Sequence, residues 1–176
     1  MGDTYIDIAG GKKVEVPVGR WTLAYGTVRK GKKMQLMKAT IFKTPAMSDF
    51  NVAEGENVVV EIGAPYKFDF QYSVSGDKVS VDGKSVRVIG KAGEASDRIY
   101  NAVPVPVAGV RKKGAKRASE SATMRPVGDN DGLEKHGWPM MWKPLPVDLE
   151  KKADEVEVQL VEKKNKLFGA LESDWK

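Results

Sequence analysis

The chain has 176 residues and a formal charge of +5, with 41% hydrophobic residues, one histidine and no cysteine. The apolar share is too high and the charge too balanced for a disordered chain, and no run of roughly 18 apolar residues could cross a membrane as a helix. Without cysteine there is no disulfide framework, thiolate metal site or cysteine nucleophile, and one histidine excludes a metal centre built on two imidazoles.

In chain order, the first 75 residues read as strands divided by turn chemistry. Ile6 and Ile8 alternate with polar residues, and Gly10-Gly11 follows. Val14, Val16 and Val18 alternate next, then Trp21, Leu23 and Tyr25. Arg29-Lys30-Gly31-Lys32-Lys33 reads as a basic turn leading into Gln35, Met37, Ala39 and Ile41. After Thr44-Pro45 come Val52, the Glu54–Asn57 turn, and Val58, Val60 and Ile62. The clearest strand is Tyr66, Phe68, Phe70, Tyr72 and Val74, apolar at every second position. Period-two patterning with aromatic and β-branched residues is the mark of a half-buried antiparallel strand.

The second stretch opens on Lys78–Val88, with Asp82-Gly83 at its centre. Asp-Gly between alternating valines predicts a two-residue hairpin with Val79 opposite Val86. Val103-Pro104-Val105-Pro106-Val107 reads as an edge strand or a polyproline run, because its prolines lack N–H donors. Residues 111–147 form a long irregular loop region. Near the C-terminus, Val156, Val158 and Leu160 alternate as in a strand that turns back at Lys163–Lys166. Leu149, Ala153, Val156, Leu160 and Leu167 also share a helical stripe, with Asp148 as its cap. The β-branched valines favour the hairpin.

The fold expected is all-β: an immunoglobulin-like β-sandwich, as two small domains in tandem, residues 1–75 and 76–176. The strand spacing is similar to that of immunoglobulin-like modules in secreted and cell-surface proteins, without a diagnostic residue.

Motifs for chemistry are few. Gly83-Lys84-Ser85 resembles the end of a phosphate loop, but Lys78 stands where the first glycine is needed and a strand follows. Asp129-Asn130-Asp131-Gly132 resembles a calcium loop, but Val127 and Trp138 occupy its first and last ligand positions. His136 has no Gly-x-Ser-x-Gly elbow to serve. No catalytic residue, metal site or cofactor is therefore expected.

Two segments suggest binding. Arg111, Lys112, Lys113, Lys116 and Arg117 place five cations in seven residues, with no aromatic among them on which a nucleic-acid base would stack. Trp138, Met140, Met141 and Trp142 form a proline-stiffened apolar cluster, either a plug for one end of the sandwich or an anchor for a partner. The candidate binding residues are thus Trp138, Met141, Trp142 and the five cations, with the tryptophan loop expected to carry the contact if the chain is a binder.

The function expected is a non-catalytic binding or structural module with a protein or polysaccharide partner. The first residues, Met1–Thr4, show no leader, which points to the cytoplasm. The likeness to immunoglobulin-like modules points outward, and the expectation adopted is an extracellular, periplasmic or envelope module excised from a larger protein. The alternatives are a carbohydrate-active enzyme, whose two carboxylates the sequence does not single out, and an anionic-polymer or nucleic-acid binder using the basic loops.

Overall fold

A computed structural model describes residues 5–8, 13–126, 142–149 and 155–176. The protein is all-β: the described residues form fourteen strands, one short 3-10 turn at Lys33–Gln35 and no α-helix. Among the described residues no helix is long and apolar enough to cross a membrane.

The strands make four sheets, and every pairing is antiparallel. The largest contains β2 (Gly26–Lys30), β3 (Met37–Phe42), β9 (Ala95–Tyr100), β8 (Arg87–Ile89) and β5 (Lys67–Asp69), in that order. A four-stranded sheet runs β11 (Glu120–Thr123), β10 (Val107–Lys112), β13 (Val156–Asn165), β14 (Gly169–Glu172). A three-stranded sheet runs β12 (Leu145–Asp148), β7 (Lys78–Val81), β6 (Tyr72–Ser75), and β1 (Gly19–Trp21) pairs with β4 (Phe50–Val52).

Inward-facing alternate residues of the three larger sheets meet in one cluster. Ala39, Phe68, Val88 and Ile99 come from the five-stranded sheet, Val79, Val81 and Val147 from the three-stranded one, and Val110, Val158, Leu160 and Leu171 from the four-stranded one. Each fully buried side chain of the larger kinds stabilises by about 1.5–3 kcal/mol. The division expected after Ser75 falls in the turn between β6 and β7. Strands from both stretches share sheets there, since β3 pairs with β9, β5 with β8 and β6 with β7.

Several strand expectations are corrected. Ile6, Ile8, Val14 and Val16 lie outside the ladders, and Tyr5 and Val18 are largely exposed, so alternation there has no apolar surface to cover. Val58–Ile62 is also unladdered, and the Ile62 N–H bonds locally to the Val60 carbonyl. The Tyr66–Val74 run keeps Phe68 and Phe70 buried but splits between β5 and β6, in different sheets. Gln71 interrupts the ladder because its N–H donates to the Ser85 hydroxyl and its carbonyl accepts from the Asp82 N–H.

The Asp82-Gly83 hairpin does not form. β7 pairs with β6 and β12, whereas β8 pairs with β5 and β9, so residues 82–85 carry the chain from one sheet to another. Asp82 holds the turn: its carboxylate accepts from the Lys84 N–H and its carbonyl from the Ser85 hydroxyl. Gly83 serves close approach instead, because a Cβ there would run into the carbonyl of Trp142. The two-residue hairpin lies at Gly76-Asp77, with Gly76 at φ +63° as its first central residue.

Val103–Pro106 is no edge strand. It runs outside the ladders, and the carbonyls of Pro104 and Pro106 accept from the Trp142 indole and the Met124 N–H. The C-terminal hairpin forms as β13 and β14. Asn165 closes it by accepting from the N–H groups of Leu167 and Phe168, and Gly169 follows at φ +82°.

Candidate functional site: the β10–β11 hairpin and its surroundings

The basic run lies at the end of β10 and in the loop to β11. Cross-strand register sets Arg111 opposite Glu157 of β13. The Arg111 Nε donates to Glu157 Oε2 at 2.7 Å, and its guanidinium lies 4.0 Å from the centroid of the Trp175 ring. Both members of the pair are mostly covered, with side-chain exposures of 17% and 21%. The same Glu157 oxygen accepts from the Gly114 N–H, which turns the loop at φ +79°. These donors, the Arg111 guanidinium first, hold the Glu157 carboxyl below the usual carboxylate range. Lys113 pairs with Glu155 at 3.1 Å, both exposed. Lys112, Lys116 and Arg117 stay exposed, with no ion pair among the described residues.

The five expected cations therefore divide: Arg111 and Lys113 are engaged with carboxylates, and three point their charge at solvent. Trp175 and Glu157 were not legible as site residues. Nothing in their local sequence marks them: the register of β10 on β13 brings Glu157 to Arg111, and Trp175 arrives on the last residues of the chain, where Lys176 exchanges backbone hydrogen bonds with Val158.

Trp142 is 1% exposed and its indole donates to the Pro104 carbonyl at 3.0 Å. Its backbone N–H bonds to the Gly83 carbonyl, and it bridges to Pro126. Trp138, Met140 and Met141 lie outside the described residues, as do His136 and the Asp129–Gly132 candidate.

An open cleft of about 530 Å³ is lined by Arg20, Lys43, Met47, Asp49 and Asn51 among others. Asp49 accepts from Arg20 Nε at 2.8 Å and pairs with Lys43. Hydrogen bonds from Lys43 above all, then Thr22 and Arg20, push its carboxyl far below the ordinary range. A carboxylate so occupied is a poor proton acceptor, and the cleft keeps one excess positive charge.

Glu94 is fully buried, and its carboxylate accepts from the N–H groups of Gly63 and Ala92 at 2.6 and 3.1 Å. It fastens one loop to another. Burial, and then the Glu94 charge, push the neighbouring Tyr66 hydroxyl up. Glu162 is raised by its own burial, although Asn165 and the Val105 N–H donate to it. Among the described residues no group of three His, Cys, Asp or Glu side chains could hold a metal ion.

No family model matches the chain, and neither a curated protein nor a solved structure does.

Proposed function

We propose that the protein is a non-catalytic binding module that meets an acidic protein or polysaccharide surface through the β10–β11 hairpin. The observation that carries this is the locked base of the hairpin. Glu157 ties down Arg111 and Gly114, Trp175 covers the guanidinium, and Lys112, Lys116 and Arg117 are held out on that support. Cations on a fixed frame lose less freedom on binding than cations on a loose loop. Further support comes from the carboxylates Asp49, Glu94 and Glu157, each occupied by cations or backbone donors. The buried Trp142 leaves its indole to the scaffold rather than to a partner.

The finer architecture belongs to the same proposal: immunoglobulin-like sandwich layers in a larger secreted or cell-envelope protein. It is supported by the strand spacing and by the inward alternation of the sheets.

Immobilised polyglutamate is the direct probe. The chain should be retained at low salt, and charge reversal in K112E/K116E/R117E should weaken retention strongly without changing the melting temperature. Equal retention of that variant, or turnover of a panel of chromogenic glycosides, would overturn the proposal.

A further inference from the structure

The segment from Arg29 to Lys38 carries five basic and no acidic residues in ten positions. It forms the end of β2, a tip and the start of β3. No ion pair among the described residues neutralises Arg29, Lys30, Lys32, Lys33 or Lys38. The β2–β3 register sets Arg29 directly opposite Lys38, both exposed. Like charges in that position repel across the strands and destabilise the sheet. The fold thus holds a repulsion that an anion lying across the pair would relieve.

The pattern of the surrounding face narrows the anion. Gly26 and Val28 face inward, Gly26 so closely that a Cβ would press on the Ile41 side chain. Thr27 and Arg29 therefore face outward, and the alternation carries to Tyr25, which is 73% exposed. Thr40 stands opposite Thr27, and the next strand sets Tyr100 opposite Lys38. The Lys38 ammonium lies 5.6 Å from the Tyr100 ring centroid. Arg29, Lys38 and Tyr100 make one row across three strands, and the next row runs Thr27, Thr40 and Asp97, so the excess of positive charge lies at the Arg29–Lys38 end. Tyr25 stands one residue before β2, a span of about 13 Å from Arg29 if the chain is extended there, and β2 to β9 is about 10 Å.

The backbone is fixed. Gly31, at φ +89°, packs so tightly on the Gln35 carbonyl that no Cβ fits, and the Asn101 amide donates to the Leu36 carbonyl at 3.0 Å.

We infer that this face, Tyr25, Thr27, Arg29, Lys38, Thr40 and Tyr100, binds an acidic polysaccharide. The inference deepens the reading of the chain as a binding module and assigns it a second surface, distinct from the β10–β11 hairpin. The cations meet carboxylate or sulfate groups, the threonine hydroxyls meet sugar hydroxyls, and Tyr25 offers an open ring for the apolar face of a sugar. A single-stranded nucleic acid fits less well. It wants several free ring faces for stacking, and the Tyr100 ring is already attended by Lys38.

Fluorescence anisotropy with labelled heparin oligosaccharide tests this, with neutral dextran and an oligouridine of equal charge as the contrasting probes. Heparin should bind, dextran should not, and oligouridine should bind more weakly. R29E/K38E should weaken heparin at least about tenfold, Tyr25→Ala should weaken it several-fold, and K112E/K116E/R117E, which removes the other basic surface, should weaken it less than R29E/K38E does. Arg29→Glu alone should lower binding yet raise the melting temperature, because it turns a repelling pair into an attracting one. Equal or tighter binding of oligouridine would overturn the inference in favour of nucleic acid. No heparin binding would overturn it too, leaving the lysines as protection for an edge strand. Heparin binding lost only in K112E/K116E/R117E would overturn this surface while leaving the binding module standing.

Discussion

Glu157 and Glu162 sit five residues apart on β13, yet their surroundings push their carboxyls in opposite directions from an ordinary value near 4.5. Glu157 is lowered by Arg111, so its charged form stabilises the fold. That contribution is present above about pH 4.5 and is lost as pH falls through the lowered value. Glu162 is raised by burial, so its protonated form is preferred in the fold, and stability drains as pH rises from about 4.5 through the raised value. Glu157→Gln should therefore lose stability relative to the parent as pH climbs from acid to neutral, whereas Glu162→Gln should gain. Urea melts of both variants at a series of pH values check the pair of signs. Trp142 provides a third residue-scale expectation. Its indole is buried and hydrogen-bonded, so Trp142→Ala should cost about 3–5 kcal/mol. A loss below about 1 kcal/mol in a denaturant melt would mean that the side chain is exposed in solution.

At the scale of elements, the C-terminal hairpin depends on one amide. Asn165 is 6% exposed, accepts from two backbone N–H groups, and donates to the Ala102 carbonyl. Asn165→Ala leaves those partners unsatisfied and should cost about 1–3 kcal/mol, read from the shift in the urea midpoint. The hairpin itself was legible from the alternation of Val156, Val158 and Leu160, with the β-branched Val156, Val158 and Val161 favouring strand over helix. Phe68 and Phe70 were legible as core from the same period. The partners of the strands were not. Period two tells which side chains share a face but not which strand lies alongside, so Tyr66–Val74 read as one strand although its ladder changes sheets at Gln71. Asp82-Gly83 misled for a related reason. A turn signal marks where the chain bends, and here side-chain bonds from Asp82 and Ser85 and the approach of Trp142 decide where it goes next. Of the candidate site, the cations were visible as composition. Their sorting into engaged and free groups, and the Arg29–Lys38 repulsion, needed the register.

For the whole molecule, the account rests on the sharing of one core by strands from both ends of the sequence. Phe68 and Phe70 pack in the same cluster as Val158, Leu160 and Leu171, and the Lys176 ammonium reaches back to Asp69 and the Phe70 carbonyl. Surfaces on the β10–β11 and β2–β3 hairpins are then parts of one scaffold. The measurement that tests this most directly is equilibrium unfolding of the parent and of Phe70→Ala, followed at once by tryptophan fluorescence and far-ultraviolet circular dichroism. The account predicts a single transition that coincides in both signals, and a shift of the entire transition by about 3–5 kcal/mol in the variant. Two separated transitions, of which Phe70→Ala moves only one, would contradict the shared core and favour two domains in tandem.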